Sequence, residues 1–338
     1  MPLQEPLHLK PVLMEKVWGG NRLGTLYGKP CPPGGKIGES WELTDRAEAQ
    51  SRVAGGRFDG RTLQDLREAE GAALLGPALF ARRPPRFPLL VKFVDAGDDL
   101  SVQVHPDDAG AKRFGIPDRG KTECWVVVHA DPGARIQRGL QPGVTREGFE
   151  RALASGKLEE VLHYFAPRAG DVIAIPPGSI HAICAGVVVA EIQQNSDVTL
   201  RVFDYNRLGL DGKPRALHVR ESLETIAFGG DFGSYFEGEM RTETVRATPA
   251  ARGALKTEAL LKGKYFDLVR VAAPAGSRGT IETAAAPKVL LFLDGRGALN
   301  GREVAAGQTV LLPADLPRVD VSAELKLVWL ESTPTPDA

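Results

Sequence analysis

The stretch "DLSVQVHPDD", residues 99–108, alternates between two kinds of side chain. Leu100, Val102 and Val104 form one set, all apolar, while Ser101, Gln103 and His105 form the other, all polar. A period of two predicts a β-strand with the two sets on opposite faces. In an open sheet the polar face would meet water. In a barrel it would line the interior, where a hydroxyl, an amide and an imidazole in a row become a set of ligands. The rest of the chain has to decide between the two.

Other runs supply the partners that an interior site needs. "GKTECW" (120–125) places Lys121, Glu123 and Trp125 on one face of a strand that runs on into Val126, Val127 and Val128. A strand that apolar is expected to be buried, and buried charges need partners. "IPPGSIHAI" (175–183) sets a Pro-Pro-Gly turn before His181. Two imidazoles and a carboxylate on three strands suit zinc, and also iron or manganese, with Gln103 able to add a fourth oxygen. The wide spacing of His105, Glu123 and His181 excludes a zinc finger and fits ligands gathered from barrel walls. His8, His129, His163 and His218 read as structural or surface residues. "EIQQNSDVTLRVFDYNR" (191–207) adds Glu191, Asp197, Arg201 and Arg207. Alone, these are solvated loop charges. Beside a metal, the arginines suit a phosphate or carboxylate, provided the chain bends between them at Asp204–Asn206.

Around this centre the chain reads as mostly β with a few helices. Its 338 residues are long for one core and predict two domains, 1–240 and 241–338. With 38 Gly and 25 Pro punctuating short apolar runs, sandwiches or barrels are favoured. Strands are expected in 87–96, 100–105, 122–130, 171–176 and 187–194, and helices in 62–76, 145–165 (N-capped by Thr145) and 217–228. "AGDVIAIPPGSIHAI" (169–183) is echoed by "AGQTVLLPADLPRVD" (306–320), and "TECWVVVHADPGARI" by "KVLLFLDGRGALNGREV" (288–304). The second copy has Arg318 near the place of His181, and 241–338 holds no His and no Cys. The echo suggests a duplicated barrel whose second copy lost its metal.

Composition narrows the function classes. A net charge of −1 gives no general attraction to nucleic acid or anionic membrane. There is no apolar run long enough for a transmembrane helix, and the N-terminus does not read as a signal peptide. Three cysteines, Cys31, Cys124 and Cys184, predict reduced thiols and a cytoplasmic protein. Nothing in the sequence speaks to oligomeric state.

Together, "LSVQVHPDD", "GKTECW", "IPPGSIHAI" and "QQNSDVTLRVFDYNR", with "WGGNRLG" (18–24) and "IGESWEL" (37–43), resemble the type I phosphomannose isomerases in their short bacterial form, over roughly residues 10–235. The resemblance implies a zinc-dependent mannose-6-phosphate isomerase of the cupin superfamily. Its fold would be a double jelly roll (a bicupin) with one zinc, in the first barrel only. It further implies Gln103, His105, Glu123 and His181 as zinc ligands, Ser101 at the substrate phosphate, Lys121 as an active-site cation and Arg201 as the catalytic arginine. Glu191 and Asp197 match acidic residues lining the site. Two positions depart from longer relatives: Gly120 stands where they have His, and Arg207 where they have Lys. The implied reaction moves a proton between C1 and C2 of a sugar phosphate, with Glu191, Lys121 or a zinc-bound hydroxide as base. Arg201, Arg207, Ser101 and Lys121 are its candidate phosphate anchors. Rival readings are another metal cupin, such as a dioxygenase or a different sugar isomerase, and a non-catalytic sugar-phosphate-binding protein.

Overall fold

A computed structural model describes residues 3–230, 235–236 and 248–338. The chain is mostly β with a few short helices, as expected. Two pairs of antiparallel sheets carry it. The larger sheet of the first pair runs in the order Val172–Ile175, Glu123–Ala130, Val187–Gln194, Leu89–Asp95, Ile37–Leu43, Val12–Gly20. Its companion runs Leu162–Phe165, Ile136–Leu140, His181–Ile183, Val102–Val104, Leu200–Phe203.

The second pair repeats this order. Its larger sheet runs Thr309–Leu312, Lys288–Asp294, Leu327–Pro334, Phe266–Ala273, Leu255–Lys262, Thr248–Arg252, and its smaller one Arg302–Ala305, Arg296–Leu299, Arg318–Ala323, Arg278–Glu282. The registers agree as well. Glu123 pairs with Ile175, just before Pro176, and Lys288 pairs with Leu312, just before Pro313. The sequence echo therefore marks a true topological duplication.

The expected division at 240/241 lies outside the described residues, but the N-terminus does not stay with the first sheet pair. Strand Leu7–Lys10 pairs with Thr309–Leu312 and with Arg52–Val53, extending the large sheet of the second pair. Burial of Leu7, Leu9 and Val53 accounts for the crossing: they join Leu311 and Leu330 in a core shared by the two large sheets. Phe93, Cys124, Val126 and Ile192 enter that core from one side, and Leu268, Val289 and Leu291 from the other. The second pair closes over its own apolar core, which includes Leu290, Phe292, Val310 and Trp329.

Local details differ from expectation in three places. The helix expected over 145–165 spans only Arg146–Ala154, with the Thr145 hydroxyl accepting from the Gly148 N–H. Gly156, at φ 71°, ends it, and the chain continues as a 3-10 turn and the strand Leu162–Phe165. The helix expected over 62–76 is interrupted at Gly71: a capping box on Thr62 begins one segment, Leu63–Glu70, and the second, Ala72–Ala81, is itself kinked at Gly76 before Pro77. Finally, the echo stretch 288–304, which as a strand, a Gly-rich turn and a returning strand would make one hairpin, does not stay in one sheet. At Gly295 (φ 84°) the chain crosses to the other sheet, and an added Cβ there would lie 1.8 Å from the Lys326 carbonyl oxygen.

Candidate active site

The opening strand now has its explanation. Val102 and Val104 face outward but are covered by Phe149, Leu158 and Ile226, so both faces of the strand are occupied. Ser101, Gln103 and His105 turn into the space between the first pair of sheets. Register places His181 opposite Gln103, and Gln103 opposite Arg201. From the facing sheet, a second row crosses four strands: Trp125, Glu191, Lys92 and Trp41 are successive cross-strand neighbours. The site is the gap between these two rows.

His105, Glu123 and His181 converge, with one potential ligand atom from each lying within 4.8 Å of the others, all buried. Glu123 Oε1 is 3.3 Å from His181 Nε2 and 3.6 Å from His105 Nε2. His181 Nδ1 lies 2.8 Å from the Ser179 carbonyl oxygen, which can only accept, so Nδ1 carries the proton and Nε2 presents a lone pair to the centre. Burial and the neighbouring His105 push His181 down to about 3, so the ring is neutral. Burial and the Lys121 ammonium likewise lower His105, and both of its nitrogens lack a hydrogen-bond partner. Two neutral imidazoles and a carboxylate, buried and short of donors, fit a divalent cation.

The fourth expected ligand is adjacent but turned. Gln103 Nε2, not its oxygen, lies 3.3 Å from His181 Nε2, while Oε1 accepts from the Ser101 hydroxyl at 3.3 Å. An amide N–H is the natural partner of the His181 lone pair. A cation between the ligands would favour the amide rotated by half a turn, with its oxygen inward.

Around the ligands runs an alternating charge network. Lys121 Nζ is 2.7 Å from Glu123 and 3.6 Å from Glu191. Lys92 Nζ lies 3.6 Å from Glu39, 3.6 Å from Glu191 and 3.4 Å from Asp197, over the Trp41 ring. Burial opposes the charge on Lys121, but Glu123 and Glu191 outweigh it and hold the ammonium's pKa above its ordinary value. Burial, with the Glu123 charge nearby, raises Glu191 above the usual carboxylate range. Its Oε2 accepts from the Trp125 indole at 3.0 Å, while the buried Oε1 has no hydrogen-bond donor.

These groups open into a cleft of about 680 Å³, of the size that takes a small ligand. Its lining includes Ser101, Gln103, Lys121, Glu191, Asp197 and Arg201, and the converging trio meets that lining through Lys121 beside Glu123 and Gln103 beside His181. Arg201 is fixed by its Nη1 donating to the Ala216 carbonyl at 2.9 Å and its backbone N–H to His218 Nδ1 at 3.2 Å. Arg207, expected at the substrate, is absent from the lining and pairs with Asp204 and Asp98 at 2.8 and 3.4 Å. Gly120 also has a structural reason: a Cβ there would come within 2.2 Å of the Asp107 backbone, so no His fits.

Sequence reasoning missed Lys92, Glu39, Arg215 and the cleft position of His218. Lys92 left a signal, since a lysine inside the apolar run "FPLLVKFVDA" requires a buried counter-charge. Glu39 left a fainter one in "IGESWEL", where it shares a face with Trp41 and donates nothing to the core; the indole of Trp41 gives it a hydrogen bond of 2.6 Å. His129, by contrast, lies 2.8 Å from Asp131 and takes no part.

A family model described as phosphomannose isomerase type I, catalytic domain, matches residues 7–119, a span that contains Ser101, Gln103 and His105. The chain is 35% identical over 270 residues to the mannose-6-phosphate isomerase of Streptococcus mutans, covering 79% of each chain. It is 39% identical over 222 residues to the mannose-6-phosphate isomerase ManA of Bacillus subtilis, covering 66% of this chain and 68% of the relative. Among solved structures, the crystal structure of the mannose 6-phosphate isomerase from Bacillus subtilis superposes with a TM-score of 0.86 at 28% identity, covering 97% of this chain and 99% of the other.

Proposed function

The chain belongs to the type I phosphomannose isomerase family, and from that premise we propose that it interconverts mannose 6-phosphate and fructose 6-phosphate with one zinc ion held by Gln103, His105, Glu123 and His181. The observation that carries the reading is the buried convergence of two neutral imidazoles and a carboxylate beside a cleft lined by Glu191, Lys121 and Arg201. We read the two sheet pairs as a double jelly roll with metal only in the first barrel, and the protein as cytoplasmic. No helix among the described residues is long and apolar enough to cross a membrane.

Zinc at this centre would supply an electrophile that stabilises negative charge developing on the sugar's oxygen atoms. The chain's own groups do the rest. Glu191 is the base: burial raises its carboxyl above the usual carboxylate range, its Oε2 is anchored by Trp125, and its Oε1 makes no hydrogen bond, with the Lys92 and Lys121 ammoniums 3.6 Å away. It takes the proton from one carbon and returns it to the next, while a second proton passes between the C1 and C2 oxygens, so aldehyde and ketone are exchanged with no net loss of atoms or charge. Lys121 keeps its proton beside Glu123 and Glu191, which suits it to holding charge and not to abstracting a proton. Arg201, next to Gln103 in register and tied down at both ends, orients the sugar. Ser101 and Asp197 line the same cleft, the hydroxyl placed to donate to sugar or phosphate oxygens and the carboxylate to accept from sugar hydroxyls.

The test is incubation of purified protein with fructose 6-phosphate. Mannose 6-phosphate should form, cease with a chelator and resume with zinc. Product formation that is indifferent to metal removal would refute the zinc role. Oxygen consumption with tightly bound iron would instead favour the dioxygenase reading.

A further inference from the structure

We propose that Arg215, not Arg207, grips the phosphate of the sugar, and that the loop 204–218 is the device that carries it to the outer end of the cleft. The assignment rests on the sugar-phosphate reading above and adds a residue to that same site. The chain does bend after Asp204, as a shared role for Arg201 and Arg207 would require. However, Tyr205 and Asn206 are both left-handed, at φ 54° and 55°, and the turn carries Arg207 away from the cleft. There its guanidinium donates to Asp204 Oδ1 at 2.8 Å and to Asp98 Oδ2 at 3.4 Å, and stacks over the Tyr205 ring. Two carboxylates and an aromatic face leave it committed.

The loop then doubles back. Leu208 bridges to Pro214, the Gly209 N–H donates to the Lys213 carbonyl at 2.7 Å, and Arg215 returns to the cleft wall with Arg201, Thr199 and His218. Arg215 meets Asp204 through longer contacts, 3.3 Å from Nε to Oδ2 and 3.4 Å from Nη1 to Oδ1. Asp204, nearly fully buried, thus steadies Arg215 while serving Arg207 as well. Arg201 and Arg215 both line the outer end of the cleft, with Asp211 as the acidic residue beside them and Asp204 buried behind Arg215, so two guanidiniums face the cleft together. The inner end is balanced instead, with Lys92 and Lys121 set among Glu39, Glu191 and Asp197. A dianionic phosphate matches the first environment, and a guanidinium fork matches its oxygens.

The experiment compares Arg215→Gln, Arg215→Lys and Arg207→Gln in the full zinc-loaded chain. It reads kcat and KM for mannose 6-phosphate and, separately, the rise in Tm produced by inorganic phosphate. Arg215→Gln is expected to raise KM about 10- to 100-fold, with kcat changed much less, and to abolish protection by phosphate. Arg215→Lys should recover part of both, and Arg207→Gln should shift KM less than about threefold. A larger KM effect at Arg207, or phosphate protection of Arg215→Gln equal to that of the parent, would overturn the assignment and leave the isomerase reading intact. A parent protein that neither isomerises the sugar nor responds to phosphate would overturn both.

Discussion

The two sheet pairs have the same strand order and opposite interiors. In the first, the cross-strand row reads Ile173, Trp125, Glu191, Lys92, Trp41. At the same places the second reads Val310, Leu290, Glu331, Val269, Ala259. Only the glutamate persists. Glu123, the carboxylate of the converging trio, is matched by Lys288, and His181, first in its strand, by Arg318, which is exposed and pairs with Asp320. Glu331 is therefore neutralised from within its own unit, by Lys288 at 2.5 Å and Arg252 at 3.1 Å. In the first unit Glu191 faces Lys92 and Lys121, each at 3.6 Å, while Glu123 meets Lys121 on one oxygen and the two neutral imidazoles on the other, which leaves a His/Glu/His group able to hold a cation. A charge reversal at the start of one strand and the loss of both imidazoles separate a group able to hold a metal from a closed ion pair on a shared topology.

That contrast can be broken by substitution. Glu123→Gln should have the largest effect: it removes the one anionic ligand, and zinc affinity should fall by at least about 100-fold, with activity lost alongside, as read by metal analysis and assay of the same sample. Glu191→Gln should lower kcat by about 10²- to 10⁴-fold with zinc retained. A kcat close to that of the parent would take the base role away from Glu191. Arg201→Ala should reduce turnover by about 10²-fold, again with zinc in place; equal loss of zinc would make the residue structural. Lys288→Met sharpens the comparison from the other side. It leaves buried Glu331 with Arg252 alone and should cost about 3 kcal/mol in a denaturant melt, while kcat and KM of the folded protein stay unchanged. A kinetic defect in that variant would mean that the second interior is coupled to the reaction.

Much of this was legible because it followed from period and charge. The polar face of residues 101–105, the Lys121–Glu123 spacing and the strand before His181 each carry their chemistry locally, and the structure brings them together. The echo between 169–183 and 306–320 revealed the duplication. What escaped the sequence depended on tertiary geometry. Lys92 looks like one more residue of a core strand until Glu39, Glu191 and Asp197 are placed around it. The fate of Arg207 was set by two consecutive left-handed residues and by Asp98, distant in sequence. The helix expected through 145–165 failed because Gly156 stops it and residues 162–165 find a strand partner in 136–140, an alternative no local pattern displays. The N-terminal strand joined the far sheet because its apolar residues complete a core that the sequence never places next to it.

The most direct test is zinc stoichiometry, measured on the parent chain, Glu123→Gln and Lys288→Met after identical reconstitution. One zinc per chain in the parent and in Lys288→Met, with none in Glu123→Gln, is the predicted result. Zinc that persists in Glu123→Gln, or a second equivalent in the parent, would contradict a single metal seated in the first interior.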